Sequence, residues 1–285
     1  MKTKVLGWVS SRVFLSSFVM MFVALAIDRR ETNRVLELSI DLPTYHVVSR
    51  KRVFQDSLVS LLGLEDHALR VPLVGIPLAK ALGRISIGFL FSNVPVILAT
   101  SCICSIAAYH FLALAVHLFA SPTTGSRATV DKRHVRGALR FLVILLFSFV
   151  CGGKGFEADT AVMETMKNFF QRLRPPEFAH DTRSLAFPSG HTNGAAFFFG
   201  ALLVLMLPNL VRGLRVRKKS LLGVWAFFTL LTGFGRVVAL KHWCSDCICG
   251  ACTGAITVSL TSLTVLHIER MVGVHEQDAP HGKIA

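Results

Sequence analysis

The feature that most constrains this chain is a series of long apolar runs almost free of charge. A helix needs about 20 apolar residues to cross roughly 30 Å of hydrocarbon, and runs of that order occur at 5–27, 94–119, 141–155, 192–207, 221–240 and 242–266. They fill most of a 285-residue chain in which 52% of side chains are hydrophobic and only 17% charged. The mean hydropathy is +0.55. The bilayer is the expected solvent, and the expected fold is all-α: a polytopic membrane bundle of about six transmembrane helices. With no internal repeat or linker to divide it, the chain reads as one membrane domain over residues 1–285.

The first run is broken only by Arg12 and follows Lys2 and Lys4, so a cleaved signal peptide competes with an uncleaved span. Ala24, Leu25 and Ala26 lead straight into Asp28, Arg29 and Arg30 without a clean cleavage pattern, which favours the span. An outer loop follows over 28–93; its part at 57–91, with Pro72, Pro77, Lys80 and Arg84, suits an interfacial helix. Two loops are basic, one with Arg127, Lys132, Arg133, Arg136 and Arg140, the other with Arg212, Arg215, Arg217, Lys218 and Lys219. Lys and Arg in short loops stay cytoplasmic, and six spans put both loops and both termini on that side. The net charge of +14 is thereby assigned to topology and anionic headgroups, not nucleic acid. The polar tail 271–285, with Pro280 and Gly282, is expected to be disordered.

Three polar pieces fall at the outer ends of the last four runs. In the first, Lys167 and Arg174 are seven residues apart, close to two helical turns, and Pro175 stops the helix after them. Two cations on one face suit phosphate oxygens, Arg as a planar fork and Lys as a point charge. In the second, Pro188-Ser189-Gly190-His191 precedes an apolar helix. Ser189 is a candidate cap, Gly190 admits a ligand close to the backbone, and His191 can donate a proton to a departing oxygen. In the third, Gly235-Arg236 is followed by His242 and Asp246. These two are i and i+4 neighbours if helical, so the carboxylate can hold the imidazole in one tautomer. Singly, each piece is compatible with headgroup-facing charge, an interfacial histidine, a helix cap or a snorkelling arginine. Three together, beside a low-dielectric region where unpaired charge is costly, favour a site.

Lys-x6-Arg-Pro, Pro-Ser-Gly-His and Arg-x5-His-x3-Asp together resemble the three-part signature of the type 2 phosphatidic acid phosphatase superfamily, which includes vanadium haloperoxidases. The resemblance covers about 141–266. It implies that His242 attacks phosphorus to give a phosphohistidine, that Asp246 orients it, and that His191 protonates the leaving oxygen. Lys167, Arg174, Ser189, Gly190 and Arg236 would then bind the phosphoryl oxygens. No cofactor or metal is implied, in keeping with electrostatic catalysis without a carboxylate cage. Two positions depart from the pattern: Gly235 stands where relatives usually have Ser, which removes a phosphate-contacting hydroxyl, and Cys244 where proline is common.

The remaining features read as structural. Cys249 and Cys252 are expected as small hydrophobes in a span, a metal role would compete with nucleophilic His242, and a Cys244–Cys247 bridge stays open. Gly223 and Gly233 read as helix-packing positions, and Cys151 to Gly155 as a span-to-loop junction. The expected function is hydrolysis of a lipid phosphate or diphosphate, with phosphatidate, phosphatidylglycerophosphate, a polyprenyl diphosphate and lipid A all compatible. A headgroup phosphotransferase and a non-catalytic anionic-lipid carrier are the alternatives; haloperoxidase chemistry belongs to soluble relatives. The expected partners are the lipid substrate and membrane lipids, with no obligatory protein partner. The expected location is a bacterial inner membrane, with the site on the periplasmic face.

Overall fold

The computed structural model describes residues 41–44, 87–120, 131–151, 161–176, 185–210 and 218–274. Six helices organise them: α1 Ile87–Ala120, α2 Lys132–Val150, α3 Ala161–Phe170, α4 Gly190–Leu210, α5 Lys218–Val238 and α6 Cys244–Met271. No strand occurs among the described residues. Helices α1, α4, α5 and α6 are long and apolar enough to cross a membrane. Phe119, Phe149, Phe227, Leu230 and Leu263 stand exposed along the bundle, as expected where lipid replaces water as solvent. The chain is an integral membrane helical bundle. The run at 5–27, most of the outer loop with its proposed interfacial helix, and Arg127, Arg212, Arg215 and Arg217 lie outside the described residues.

Several expected boundaries move. Helix α1 begins at Ile87, ahead of the run expected from 94, and so takes in the last residues assigned to the outer loop. Polar Ser92 and Asn93 and the proline at 95 obscure this in the sequence. The structure accommodates them because the Ser92 hydroxyl donates to the Gly88 carbonyl at 2.6 Å and the residue is fully buried. Helix α2 is displaced to Lys132–Val150 from the expected 141–155, because Asp131 caps its start by accepting from Arg133 N at 2.9 Å. Of the tail expected to be disordered, Met271 to Val274 are ordered and 275–285 lie outside the described residues: Gly273, at φ +68°, and Val274 donate to the Arg270 and Glu269 carbonyls at 3.2 and 3.0 Å. That paired bond pattern is a Schellman cap, which a glycine in the left-handed region makes possible.

Helix α4 is central. Of its most apolar window 72% is buried, against 22% for α1. Near its end Pro208 lacks an N–H and crowds the carbonyl four residues back. The helix responds by widening to a π turn over Leu202–Met206, with Leu207 N bonded to the Leu202 carbonyl. Arg140 of α2 takes up the Leu205 carbonyl at 2.7 Å and pairs with buried Glu269 at 2.6 Å. Arg133 donates to the Asn209 carbonyl at 2.9 Å, and Arg136 to that of Val274 at 2.7 Å. The basic residues of α2 thus hold the C-terminal ends of α4 and α6, where the helix dipole favours cations.

Helix α6 lies against α4 so closely that a Cβ at Gly250 or Gly254 would strike the Ser189 or Asn193 carbonyl. Gly233 of α5 has Cys247 and Thr192 as neighbours, whereas Gly223, expected as a packing residue, has nothing within 4 Å of where its Cβ would be. Helices α1 and α5 meet through Gly88 and Gly235: a Cβ at Gly235 would lie 2.8 Å from both Phe91 Cβ and Ser92 N. Gly235→Ser therefore has to push α1 outward. Overpacking of this kind costs about 1–3 kcal/mol, so the variant should melt below wild type in detergent. An unchanged melting temperature would show that α1 is not seated on Gly235.

Candidate active site

The first cation pair converges by a route other than the expected one. Helix α3 stops at Phe170, five residues before Pro175, because Gln171 turns into the left-handed region at φ 47° while its N–H still bonds the Lys167 carbonyl at 2.8 Å. Lys167 sits on the last helical turn, and Arg174 on the extended segment beyond it. They share no helix face. The segment is pinned instead by Ala186 N donating to the Arg172 carbonyl at 2.8 Å and by Phe170 packed edge-on against Phe187 at 4.6 Å. Lys167 is buried, and Arg174 donates to the Lys241 carbonyl at 2.8 Å.

Ser189 stands at the N-cap of α4 as expected, but its side chain makes no cap bond; its hydroxyl is 3.1 Å from that of Thr192. The turn is held by its backbone, with Ser189 N donating to the Asp246 carbonyl at 2.9 Å. Gly190 opens the helix, whose first turn presents amide N–H groups with no intrahelical acceptor. His191 follows, its Nε2 3.2 Å from Asn93 Oδ1 of α1.

Arg236, on the last turn of α5, is 6% exposed, and its Nε has no hydrogen-bond partner among the described residues. His242 is 3% exposed. It is not on a helix: α6 begins at Cys244 with Trp243 as N-cap, so the i and i+4 geometry expected of one helical face does not apply. The Nδ1 atom lies 2.9 Å from the Ala186 carbonyl and 3.6 Å from Asp246 Oδ2. The carbonyl, an acceptor with no proton to give, is what sets the tautomer. Asp246 is instead engaged by Trp243 N at 2.8 Å and by Arg172 at 3.0 Å, its charge close to the imidazole but not bonded to it.

Arg172, Asp41, Ser245, Asn93 and the Ala186 carbonyl complete the site and were not anticipated. Arg172 had a signal, a basic residue inside Lys-x6-Arg itself. Asp41 had none: it bonds Ser245 across 204 positions, accepting from its N at 2.9 Å and its hydroxyl at 2.7 Å. Gly235 also has a different use from the one implied by a missing hydroxyl. Its Cα faces the backbone of α1, and the close approach sets Asn93 beside His191. Cys244 and Cys247 are not bridged; all seven cysteines are free thiols.

Burial, and after it the positive charges of Arg236, Arg174, Lys167 and His191, hold the His242 pKa well below its usual 6.5. The imidazole is neutral at pH 7. With Nδ1 donating to Ala186, the lone pair resides on Nε2. Arg172 is taken up by Asp41 and Asp246, and Lys167, Arg174 and Arg236 bring three further cations to the buried imidazole. Buried Arg236 Nε has no acceptor among the described residues, a donor that a bound anion would satisfy.

No curated protein and no solved structure matches the chain. Residues 137–269 match the PAP2 superfamily model. That stretch contains Lys167, Arg174, Ser189, Gly190, His191, Arg236, His242 and Asp246, and the match supports membership of the PAP2 superfamily and a phosphatase-type function in general.

Proposed function

We propose that this protein hydrolyses the phosphomonoester or diphosphate of a membrane lipid through a phosphohistidine on His242. The observation that carries the reading is a buried, neutral imidazole with Nδ1 held by the Ala186 carbonyl at 2.9 Å, which leaves Nε2 as a nucleophile among three cations. The Nε2 lone pair attacks phosphorus, the bond to the leaving oxygen breaks, and His191 delivers a proton to that oxygen. The resulting phosphoimidazolium keeps its Nδ1 proton, and Asp246 at 3.6 Å offsets its charge. Water then attacks phosphorus, the P–N bond breaks, His191 recovers a proton from the water, and His242 returns neutral.

Lys167, Arg174 and Arg236, with the first turn of α4, are assigned to the phosphoryl oxygens. Orphaned Arg236 Nε supports this, because a buried donor without an acceptor is rare unless a ligand completes it. A phosphomonoester carries about −1.5 to −2 at neutral pH, charge that Lys167, Arg174 and Arg236 would offset. Stabilisation of developing charge by preorganised donors is usually the largest catalytic term. The lipid chains are assigned to the bilayer around the bundle, and the headgroup to the end where α4 and α6 begin.

Sidedness follows from charge. The basic start of α2 binds the far ends of α4 and α6, one helix length from His242. Positive ends stay cytoplasmic, so the site is assigned to the outer face, the periplasmic one in a bacterial inner membrane. Sealed right-side-out vesicles should hydrolyse an added membrane-impermeant phosphate ester and inverted ones should not; the reverse would overturn the assignment.

The reaction itself is tested by phosphate release, with EDTA present, from phosphatidate, phosphatidylglycerophosphate, a polyprenyl diphosphate and lipid A. Release by wild type that is abolished in His242→Ala is the expected result; no release from any of the four, or turnover retained in the variant, would refute it. His191→Ala should cost about 10²–10⁴-fold, most on esters with poor leaving groups.

The pH profile is a separate check. A lowered pKa means that Nε2 is protonated only when pH falls through the lowered value. The acid limb of kcat/KM should lie well below pH 6.5 and be shared by substrates whose phosphates ionise differently. A shared limb at or above 6.5 would contradict a buried neutral nucleophile.

A further inference from the structure

The strongest feature outside the three motifs is a buried ionic network behind the nucleophile, and this inference rests on the reading of His242 just given. Arg172 and Asp41, 6% and 1% exposed, form an ion pair. The same guanidinium reaches Ser245 Oγ at 2.5 Å and Asp246 Oδ1 at 3.0 Å. Asp41 accepts from the Ser245 N–H and hydroxyl at 2.9 and 2.7 Å, which ties it together with Arg172 to the first turn of α6. The Arg172 guanidinium also lies over the Trp243 ring, 5.7 Å from its centroid, and the indole donates to the Leu173 carbonyl at 2.9 Å.

Both groups near His242 Nδ1 are tied to one residue, Ala186 through the Arg172 main chain and Asp246 through its side chain. The Ala186 carbonyl is fixed because Ala186 N donates to the Arg172 carbonyl at 2.8 Å. The Asp246 carboxylate is fixed because it accepts from the Arg172 side chain at 3.0 Å. We infer that Arg172 and Asp41 are positioning residues for the nucleophile: a brace that fixes Ala186 and Asp246, and through them the direction of Nε2. A buried ion pair is weak evidence for stability, since desolvation offsets much of its attraction. A misplacement of about 1 Å at a reacting group, by contrast, costs about 100-fold in rate. Asp41 also ties a segment far away in sequence to the chemistry.

The brace acts on geometry and on charge, and the charge gives a signature that loss of packing would not. The groups facing His242 are Arg236 from α5, Arg174 and Lys167 from the α3 segment, His191 from α4 and Asp246 from α6. Arg172 and Asp41 stand behind Asp246. Removing either charge changes the field that Asp246 places on the imidazole, so the acid limb shifts in both charge variants, whereas removing the neutral Ser245 hydroxyl leaves it in place.

The test is full-length Arg172→Gln, Asp41→Asn and the double variant, assayed in non-ionic detergent micelles on the same four lipid phosphates beside wild type and His242→Ala. The expected result is a fall in kcat of about 10- to 100-fold in each single variant with KM within about threefold. Acid limbs should shift in both charge variants and stay in place in Ser245→Ala, and the double variant should be no worse than the poorer single. Ser245→Ala, which removes only the bridging hydroxyl, should lose kcat about three- to tenfold and serves if a charge variant does not accumulate. Arg172→Lys should not rescue, because an ammonium cannot reproduce the fork. Active wild type with kcat within twofold in all variants, or acid limbs unmoved in both charge variants, would overturn the brace. Wild type inactive on every lipid phosphate would instead overturn the phosphatase reading itself.

Discussion

The site depends on how near α4 and α6 come to one another. At Gly250 and Gly254 no side chain separates the two backbones, and Asn193 Nδ2 reaches Thr253 Oγ1 at 2.8 Å across the contact. Helices that bury no more apolar area than lipid could cover associate instead through close packing and interhelical hydrogen bonds. The contact sets the Ser189 turn directly on the first turn of α6, with Ser189 N bonded to the Asp246 carbonyl at 2.9 Å. Widen that crossing and His191 and His242 no longer face one volume.

The two ends of the bundle use positive charge in opposite ways. At the far end Arg133, Arg136 and Arg140 are spent on carbonyls at helix C-termini and on Glu269, partners that the protein supplies itself. At the site end Arg172 is matched by Asp41 and Asp246, while buried Arg236 keeps an Nε that no described residue accepts from. The imidazole between these groups is kept neutral by burial and by its cationic neighbours, the state that nucleophilic attack requires. Structural arginines and ligand-binding ones are told apart by what they touch, a distinction that residue type and span position cannot make.

Much of the fold was legible because it is written in apolar length. The spans at 94–119, 192–207, 221–240 and 242–266 appear as α1, α4, α5 and α6, each shifted at an end by a local interaction. Ser92 bonding back to Gly88 extends α1, and the Schellman cap at Gly273 extends α6. The motif residues were legible because they combine charge with fixed spacing. Their backbone was not: Lys167 and Arg174 are seven apart but on different conformations, and His242 precedes its helix rather than riding on it. Helical spacing is only one way to bring side chains together, and the pairing of residue 172 with residue 186 achieves the same end. The Ala186 carbonyl carries no side-chain signal at all, and Asp41 acts across more than two hundred positions.

Gly235 shows how a departure from a family pattern can be misread from sequence. A missing hydroxyl suggests a lost ligand contact. In the structure the Cβ direction at 235 points at Phe91 and Ser92, so the residue is chosen for what it lets approach. The consequence runs from packing to chemistry: Gly235 admits α1, α1 carries Asn93, and Asn93 Oδ1 lies 3.2 Å from His191 Nε2. With that nitrogen donating to Asn93, the proton that His191 delivers to the leaving oxygen is the one on Nδ1, which it carries as an imidazolium. A bulkier residue at 235 would act on the geometry of the proton donor before it acted on phosphate affinity, and the two effects separate in kinetics, since the first lowers kcat on poor leaving groups and the second raises KM on all of them.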